Sequence, residues 1–196
     1  MATTKIPAFA LELKITLLGT KPPIWRRLQV PGALRLESLH GAIQTAMGWC
    51  GGHLHQFEQG DEVWGALEDA EIGGLDVMDE SKVTIAELLG AKGDWLRYVY
   101  DFGDYWEHKV VVEKVIPLPL ALKAPVCTGG ARRCPPEDVG GPPGFADFIE
   151  TISDPSHEDH EYLLNWAGGT FDPKEFDKEE VNEVLASYKW PLRQKR

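Results

Sequence analysis

The chain has 196 residues, a hydrophobic fraction of 43% and a formal net charge of −11 at pH 7. These values are ordinary for one globular domain with a buried core, and no apolar run approaches the roughly 18 residues of a membrane span. The acidic balance disfavours broad binding to phosphate backbones. Residues 1–7 lack the apolar core of a signal peptide, so we expect a cytoplasmic protein.

Two strands and a helix are predicted first. Apolar and polar residues alternate over 11–17, and extended structure resumes over 24–30 until Pro31-Gly32 ends it. These strands are expected to pair as a hairpin. Apolar residues then recur at helical spacing from Leu36 to Met47, and Gly48 lies where a left-handed cap belongs.

The middle of the chain predicts shorter elements. Leu54 to Glu58 has the pattern of a third strand, and residues 63–65 are expected to form a short edge strand. The capping box that starts at Thr84 predicts a short helix that ends at Gly90. Residues 95–102 and 106–116 form the strongest predicted hairpin, because aromatic and β-branched residues favour strands.

The composition changes after residue 116. Prolines and glycines recur over residues 117–144, where we expect a long loop without regular elements. Helices are predicted around Phe145, from Asp154-Pro155 and after Asp177.

This order predicts an α+β fold, with a mixed or mainly antiparallel sheet that is packed on the Leu36 helix. The order of two strands, a helix and further strands also matches a β-grasp sheet. We divide the chain into a sheet domain (1–116), a Pro/Gly-rich loop (117–144) and a C-terminal helical part (145–196) packed on the same domain.

Several unusual motifs follow one another along the chain. They are Pro22-Pro23-Ile24-Trp25-Arg26-Arg27, Leu39-His40 with Ile43-Gln44, Met47-Gly48-Trp49, His53-Leu54-His55, Tyr100-Asp101-Phe102-Gly103-Asp104 with Trp106 and His108, Cys134-Pro135-Pro136-Glu137-Asp138 with Gly140-Gly141, and Trp166 with Gly168 and Phe171-Asp172-Pro173. On these motifs the chain resembles the plasmid pRiA4b ORF-3-like family over about residues 10–187. Members occur on plasmids and beside mobile elements, so the resemblance implies a role in an accessory or mobile-element context.

The hairpin tip is the first candidate site. A two-residue turn at Gly103-Asp104 would place Asp101 and His108 as diagonal neighbours on one face, within reach for proton transfer or metal ligation. A three-residue turn would separate them onto opposite faces. In the alternative interpretation, Asp101 and Asp104 accept hydrogen bonds from turn amides and the aromatic residues belong to the core.

His53 and His55 point the same way if both lie on a strand, and Cys50 completes a Cys-x-x-His-x-His pattern typical of metal ligands. The alternative is a buried Cys50 with histidines bonded to their neighbours. Together with the hairpin, these histidines define a candidate site of six residues: His53, His55, Asp101, Asp104, Trp106 and His108.

The three cysteines are too few and too scattered to indicate a disulfide framework. Cys127 and Cys134 are candidate zinc ligands, with His157 and His160 as partners; reduced thiols are the alternative. Val139 stands where the family pattern often has a further cysteine.

Positive charge is concentrated at two places. Arg26 and Arg27 are candidates to bind an acidic partner or a phosphate; alternatively, one of them pairs with the protein's own carboxylates. The C-terminal tail carries four more cations, and its alternative interpretation is a frayed, solvated end. They are Lys189, Arg193, Lys195 and Arg196.

No P-loop, dinucleotide fingerprint, nucleophile elbow or zinc-protease motif is present in the sequence. With seven tryptophans as potential interface anchors, the leading hypothesis is a binding or adaptor module for a protein or nucleic-acid partner in a plasmid or mobile-element context. The alternative is a metal-dependent hydrolase that uses a cluster of histidines and aspartates. Its proposed members are His53, His55, Asp101, Asp104 and His108.

Overall fold

The computed structural model describes residues 9–68, 74, 76–117 and 122–191. Its strands are β1 (Phe9–Leu17), β2 (Ile24–Pro31), β3 (His55–Gln59), β4 (Glu62–Gly65), β5 (Met78–Asp79), β6 (Trp95–Tyr100), β7 (Trp106–Pro117) and β8 (Val126–Ala131). Its helices are α1 (Leu36–Met47), α2 (Ile85–Leu88), α3 (Gly141–Ser153), α4 (His160–Trp166) and α5 (Lys178–Ser187), with a 3₁₀ turn at Glu80–Lys82.

The eight described strands form one open sheet in the order β5-β4-β3-β6-β7-β1-β2-β8. The β4–β5 pair is parallel, and every other pair is antiparallel. The predicted α+β class with a mixed, mainly antiparallel sheet is therefore confirmed.

One face of the sheet carries the core. The predicted alternation in β1 is present, since its inward residues from Leu11 to Leu17 are at most 1% exposed while the residues between them are half-buried. Leu36, Leu39 and Ile43 of α1 are fully buried in the same core. Each such side chain contributes about 1.5–3 kcal/mol by leaving water, so this helix and the inner sheet face stabilise each other.

Three of the predicted helix ends occur where the sequence places them. Gly48 ends α1 with a left-handed φ of 94°. The capping box of Thr84 and Glu87 starts α2, and the Asp177 side chain accepts hydrogen bonds from the first amides of α5.

The expected long loop over 117–144 is wrong in part, because it contains β8 and the first turn of α3. The glycines of β8 do not break the strand, since Gly130 makes room for a side chain: a Cβ there would lie 2.5 Å from the Phe176 ring. Pro142 and Pro143 fit the first turn of α3, where a helix needs no backbone donor.

Two further expectations need correction. The helix predicted from Asp154 begins at His160, because Asp154 accepts bonds from Ser156 and the chain turns there instead. The strand over 62–65 is not at the edge, since β5 pairs with it. Within the described ranges, none of the helices combines the length and the hydropathy that crossing a bilayer requires.

Helix α5 covers the outer edge of β8. The Asn182 amide donates to the Cys127 carbonyl at 2.9 Å, and its oxygen accepts from the Cys127 N–H at 2.7 Å. One side chain thus satisfies two backbone groups that an edge strand otherwise leaves open to another chain. The helical part of the chain is anchored to the sheet by this contact.

We predict that Asn182→Ala lowers the free energy of unfolding by about 1–3 kcal/mol, because it leaves two partly buried backbone groups without partners. Urea unfolding monitored by circular dichroism measures this loss. Asn165→Ala is the matched control, since Asn165 is exposed on α4. Equal effects of the two substitutions would contradict the role assigned to Asn182.

Candidate functional site

The turn between β6 and β7 is longer than predicted. Tyr100 pairs with Trp106 and Tyr98 with His108, so the connection spans residues 101–105 and the expected two-residue turn is wrong. Asp101 and Tyr105 adopt left-handed φ angles of 57° and 56°, and the Tyr105 N–H donates to the Asp101 carbonyl. This wider turn shifts the register, which directs His108 into the core instead of toward Asp101.

His108 and Trp106 are both fully buried core residues. The His108 Nδ1 lies 3.0 Å from the Trp106 carbonyl, and its Nε2 has no hydrogen-bond partner among the described residues. Burial lowers the pKa of His108 to about 3. The imidazole is therefore neutral at pH 7 and belongs to the packing beneath the site.

His55 belongs to a separate buried network. Its Nε2 lies 2.9 Å from a Glu80 carboxylate oxygen, and its ring stacks on His40 with centroids 3.6 Å apart. The His40 Nδ1 lies 2.8 Å from the Tyr98 hydroxyl, which also accepts from Gln44. Burial, followed by the charge of His55, lowers the pKa of His40 to about 3. His55 therefore fits the alternative interpretation, in which the histidines are hydrogen-bonded to their neighbours.

His53 lies in the segment before β3 and meets three carboxylates. Its Nδ1 is 3.8 Å from Asp101, and its Nε2 is 3.7 Å from Glu137 and 3.5 Å from Asp138. Three of these residues each offer one potential ligand atom to a common group: His53, Asp101 and Asp138. These three atoms lie within 4.8 Å of one another. We call His53, Asp101, Glu137 and Asp138 the acid–imidazole cluster.

Glu137 is held by two neighbours from other parts of the chain. Its carboxylate accepts from the Tyr100 hydroxyl at 3.1 and 3.2 Å and from the Cys50 N–H at 3.1 Å. Burial and the adjacent Glu137 charge raise the pKa of Tyr100. The phenol therefore keeps its proton and donates a hydrogen bond to Glu137. Cys50 is exposed, not buried.

The aspartates of the turn also accept hydrogen bonds from backbone amides, but only Asp101 accepts from an amide of the turn itself, as the alternative interpretation expects. Asp101 Oδ1 accepts from the Gly103 N–H at 2.9 Å, and Asp104 Oδ2 accepts from the Gly140 N–H at 3.1 Å. A Cβ on Gly141 would lie 2.3 Å from the Asp104 carbonyl oxygen, so only glycine fits there. Asp104 thus anchors the chain that follows Glu137 and Asp138 to the turn.

Glu137 and Asp138 are the site residues that were absent from the predicted set. Their signal was the Cys134–Asp138 motif, in which two adjacent acids follow two prolines. The sequence separates these acids from His53 by more than 80 positions, and Asp138 reaches the cluster through a left-handed φ of 59°. No local pattern predicts such an approach.

The cysteine residues proposed as zinc ligands lie apart from this cluster. Cys127 is buried on β8, and Cys134 is buried in the following loop, where burial raises the pKa of its thiol. His157 and His160 lie near the start of α4. These four residues form no group of three or more potential metal ligands in the part of the chain that the structure describes.

Arg26 and Arg27 lie on opposite faces of β2, so the two arginines do not bind one partner together. Arg27 pairs with Glu113 at 2.6 Å on the outer face, as the alternative interpretation expects. Arg26 points inward and is 2% exposed. In the C-terminal tail, Lys189 is exposed, and residues 193, 195 and 196 lie outside the described residues.

The fold and the site together define an α+β protein with an acid–imidazole cluster at one end of an open sheet. The chain belongs to the plasmid pRiA4b ORF-3-like family, whose model matches residues 9–180, and this confirms the resemblance. It is 36% identical over 194 residues to the uncharacterized protein y4hQ of Sinorhizobium fredii (strain NBRC 101917 / NGR234), covering 96% of this chain and 98% of that protein. It is also similar to the crystal structure of MM3350, a protein of unknown function from Methanosarcina mazei Go1. That match has a TM-score of 0.79 and 36% identity, and covers 88% of this chain and 97% of the other.

The buried His108 predicts a pH dependence of stability. Between pH 6.5 and about 3 the unfolded chain binds a proton at this imidazole and the folded chain does not, so the free energy of unfolding falls as the pH is lowered through this range. We expect His108→Asn to reduce that slope by up to about 1.4 kcal/mol per pH unit near pH 5.

Urea unfolding at several pH values between 4 and 7.5 measures the slope for each protein. His157→Asn is the matched control, because His157 is exposed. The comparison concerns slopes, so a loss of packing in His108→Asn does not confound it. An unchanged slope in His108→Asn would contradict the assignment of a neutral, buried imidazole.

Proposed function

We propose that this protein is a metal-dependent hydrolase whose divalent ion is bound by His53, Asp101 and Asp138. The observation that carries the proposal is the convergence of one imidazole and two carboxylates, with ligand atoms within 4.8 Å of one another. Ligands on an ion with bonds of about 2.0–2.2 Å lie roughly 3–3.5 Å apart. Small side-chain movements would bring the three groups to that separation.

The chemistry of the three ligands favours a borderline ion such as Zn²⁺ or Mn²⁺, since imidazole suits zinc and carboxylates suit both. Three protein ligands leave coordination positions for water and substrate, as in catalytic metal sites. The Asp138 side chain is 72% exposed and the His53 side chain 33%, so solvent reaches the cluster. A structural metal site would instead be closed by four protein ligands.

Glu137 is the proposed general base. Its carboxylate lies 3.7 Å from His53, beside the three proposed ligands, without being one of them. A bound metal lowers the pKa of its water, and Glu137 would accept the proton that this water loses. The ion would thereby supply an activated water for attack on the carbonyl carbon or phosphorus of an ester. As the bond to the leaving oxygen breaks, Glu137 would pass the proton to that oxygen.

Tyr100 has a supporting role in this scheme. Its hydroxyl donates to both Glu137 oxygens, at 3.1 and 3.2 Å, which holds the carboxylate in place. Trp49 packs against the Tyr100 ring with centroids 5.1 Å apart. The base is therefore oriented by side chains that are themselves packed, which catalytic positioning requires.

We predict that the protein binds one Zn²⁺ or Mn²⁺ per chain in isothermal titration calorimetry. Asp101→Asn and Asp138→Asn should each weaken this binding by tenfold or more, because each removes a charged ligand. Asp61→Asn is the matched control, since Asp61 is an exposed aspartate between β3 and β4.

The proposed metal site would be overturned if the protein showed no saturable metal binding. It would also be overturned if Asp61→Asn weakened metal binding as much as the other two substitutions do. The acid–imidazole cluster would then be a set of polar side-chain contacts around His53.

We predict that the metal-loaded protein hydrolyses p-nitrophenyl phosphate or p-nitrophenyl acetate faster than the free ion does. Glu137→Gln should keep metal affinity and lower kcat by about 10²–10⁴-fold, the usual contribution of a general base. Tyr100→Phe should give a smaller decrease. Saturable metal binding without turnover would overturn the hydrolase and leave the leading sequence hypothesis, a binding module, with a metal ion as part of its site.

A further inference from the structure

A cleft lies next to the acid–imidazole cluster. It has a volume of about 570 Å³ and is bounded by the end of α1, the loop 133–137 and parts of the segment 167–188. Glu137 and Trp49 line it, so the proposed general base belongs to both the cluster and the cleft. A ligand in this cleft would therefore contact the residue that activates water.

One of the residues that line the cleft is a buried cation. Arg26 lines the cleft and is only 2% exposed. Its Nε donates to the Ala46 carbonyl at 2.6 Å, and its Nη1 donates to the carbonyls of Trp25 and Ala131 at 2.9 and 3.1 Å. The guanidinium also lies 4.3 Å from the centre of the Phe176 ring.

All of these partners are electrically neutral. In the described part of the chain, no carboxylate lies within ion-pair distance of Arg26, and Nη2 makes no hydrogen bond. Burial accordingly lowers the pKa of Arg26, although a guanidinium stays charged. A buried positive charge without a counter-charge is costly, and proteins ordinarily compensate it with an anion.

The carboxylates that line the cleft are engaged elsewhere, except Glu180, which is exposed. Arg133 pairs with Glu175 at 2.8 Å, the first amides of α5 bind Asp177, and Tyr100 binds Glu137. These acids, together with Glu180, also line the cleft and would repel a polyanion. The occupant that fits is a small molecule with one anionic group.

We propose that Arg26 binds the phosphate or carboxylate group of a small ligand in this cleft. The part of this inference that involves Glu137 rests on the proposed function. It identifies the substrate class of the hydrolase as a small ester that carries an anionic group. The anion site itself requires no metal, so the two proposals are separable.

The test uses the full chain labelled with ¹⁵N-arginine and prepared without metal. Inorganic phosphate and acetate are titrated separately at constant ionic strength with sodium chloride, and the Arg26 side-chain resonances are followed by NMR. We expect a saturable shift of the Arg26 Nη or Nε signal with at least one of these anions, and the anion that saturates at lower concentration identifies the group. Absence of a saturable shift, or an equal response of Arg27, would overturn the anion site.

Variants separate the possible causes of failure. Arg26→Lys should weaken anion binding by tenfold or more, since an ammonium cannot retain the three carbonyl contacts and reach the ligand. Arg27→Lys is the matched control, because Arg27 lies on the opposite face of the sheet and pairs with Glu113. If Arg26→Lys does not fold, the titration of the wild-type protein still tests whether Arg26 binds an anion. Because the titration uses protein without metal, loss of the proposed metal site leaves this inference standing.

Discussion

The close contact between the turn at 101–105 and the chain at 137–144 is the constraint on which the candidate site depends. Asp104 accepts a hydrogen bond from the Gly140 amide, and Gly141 lies against the Asp104 carbonyl where no side chain fits. This contact brings Glu137 and Asp138 to His53 and Asp101. Together with the hydrogen bonds from Tyr100 and Cys50 to Glu137, it holds the two acids beside the hairpin.

The pairing of strands supplies the other half of the site. Strand β3 lies beside β6, with His55 opposite Tyr100, so the segment that precedes β3 meets the turn that follows β6. His53 and Asp101 therefore face each other across neighbouring strand ends, at 3.8 Å. Ends of adjacent strands are places where side chains converge while their backbones remain rigid, which suits both metal ligation and catalysis.

The core beneath the site contains several polar side chains. His108, His55 and Tyr98 lie on the inner face of the sheet, and burial keeps His108 and Tyr98 uncharged at neutral pH. Trp49 packs over this layer and also contacts Tyr100. These polar groups fix the rings through specific hydrogen bonds and stacking, and the packed rings in turn support the residues that hold Glu137.

The sequence by itself determined the elements whose signals are local. Alternation in β1 and β2, the helical spacing of α1 and the caps at Gly48, Thr84 and Asp177 depend on a few neighbouring residues, so they were predictable. The family was also recognisable, because its motifs are long and ordered along the chain. The tertiary structure decided the rest: a turn of five residues instead of two moved His108 into the core, and distant packing brought Glu137 and Asp138 to His53. The physical reason is that side-chain direction changes with each residue of register, and contacts across more than 80 positions depend on backbone conformations, such as the left-handed Asp138, that no local pattern specifies.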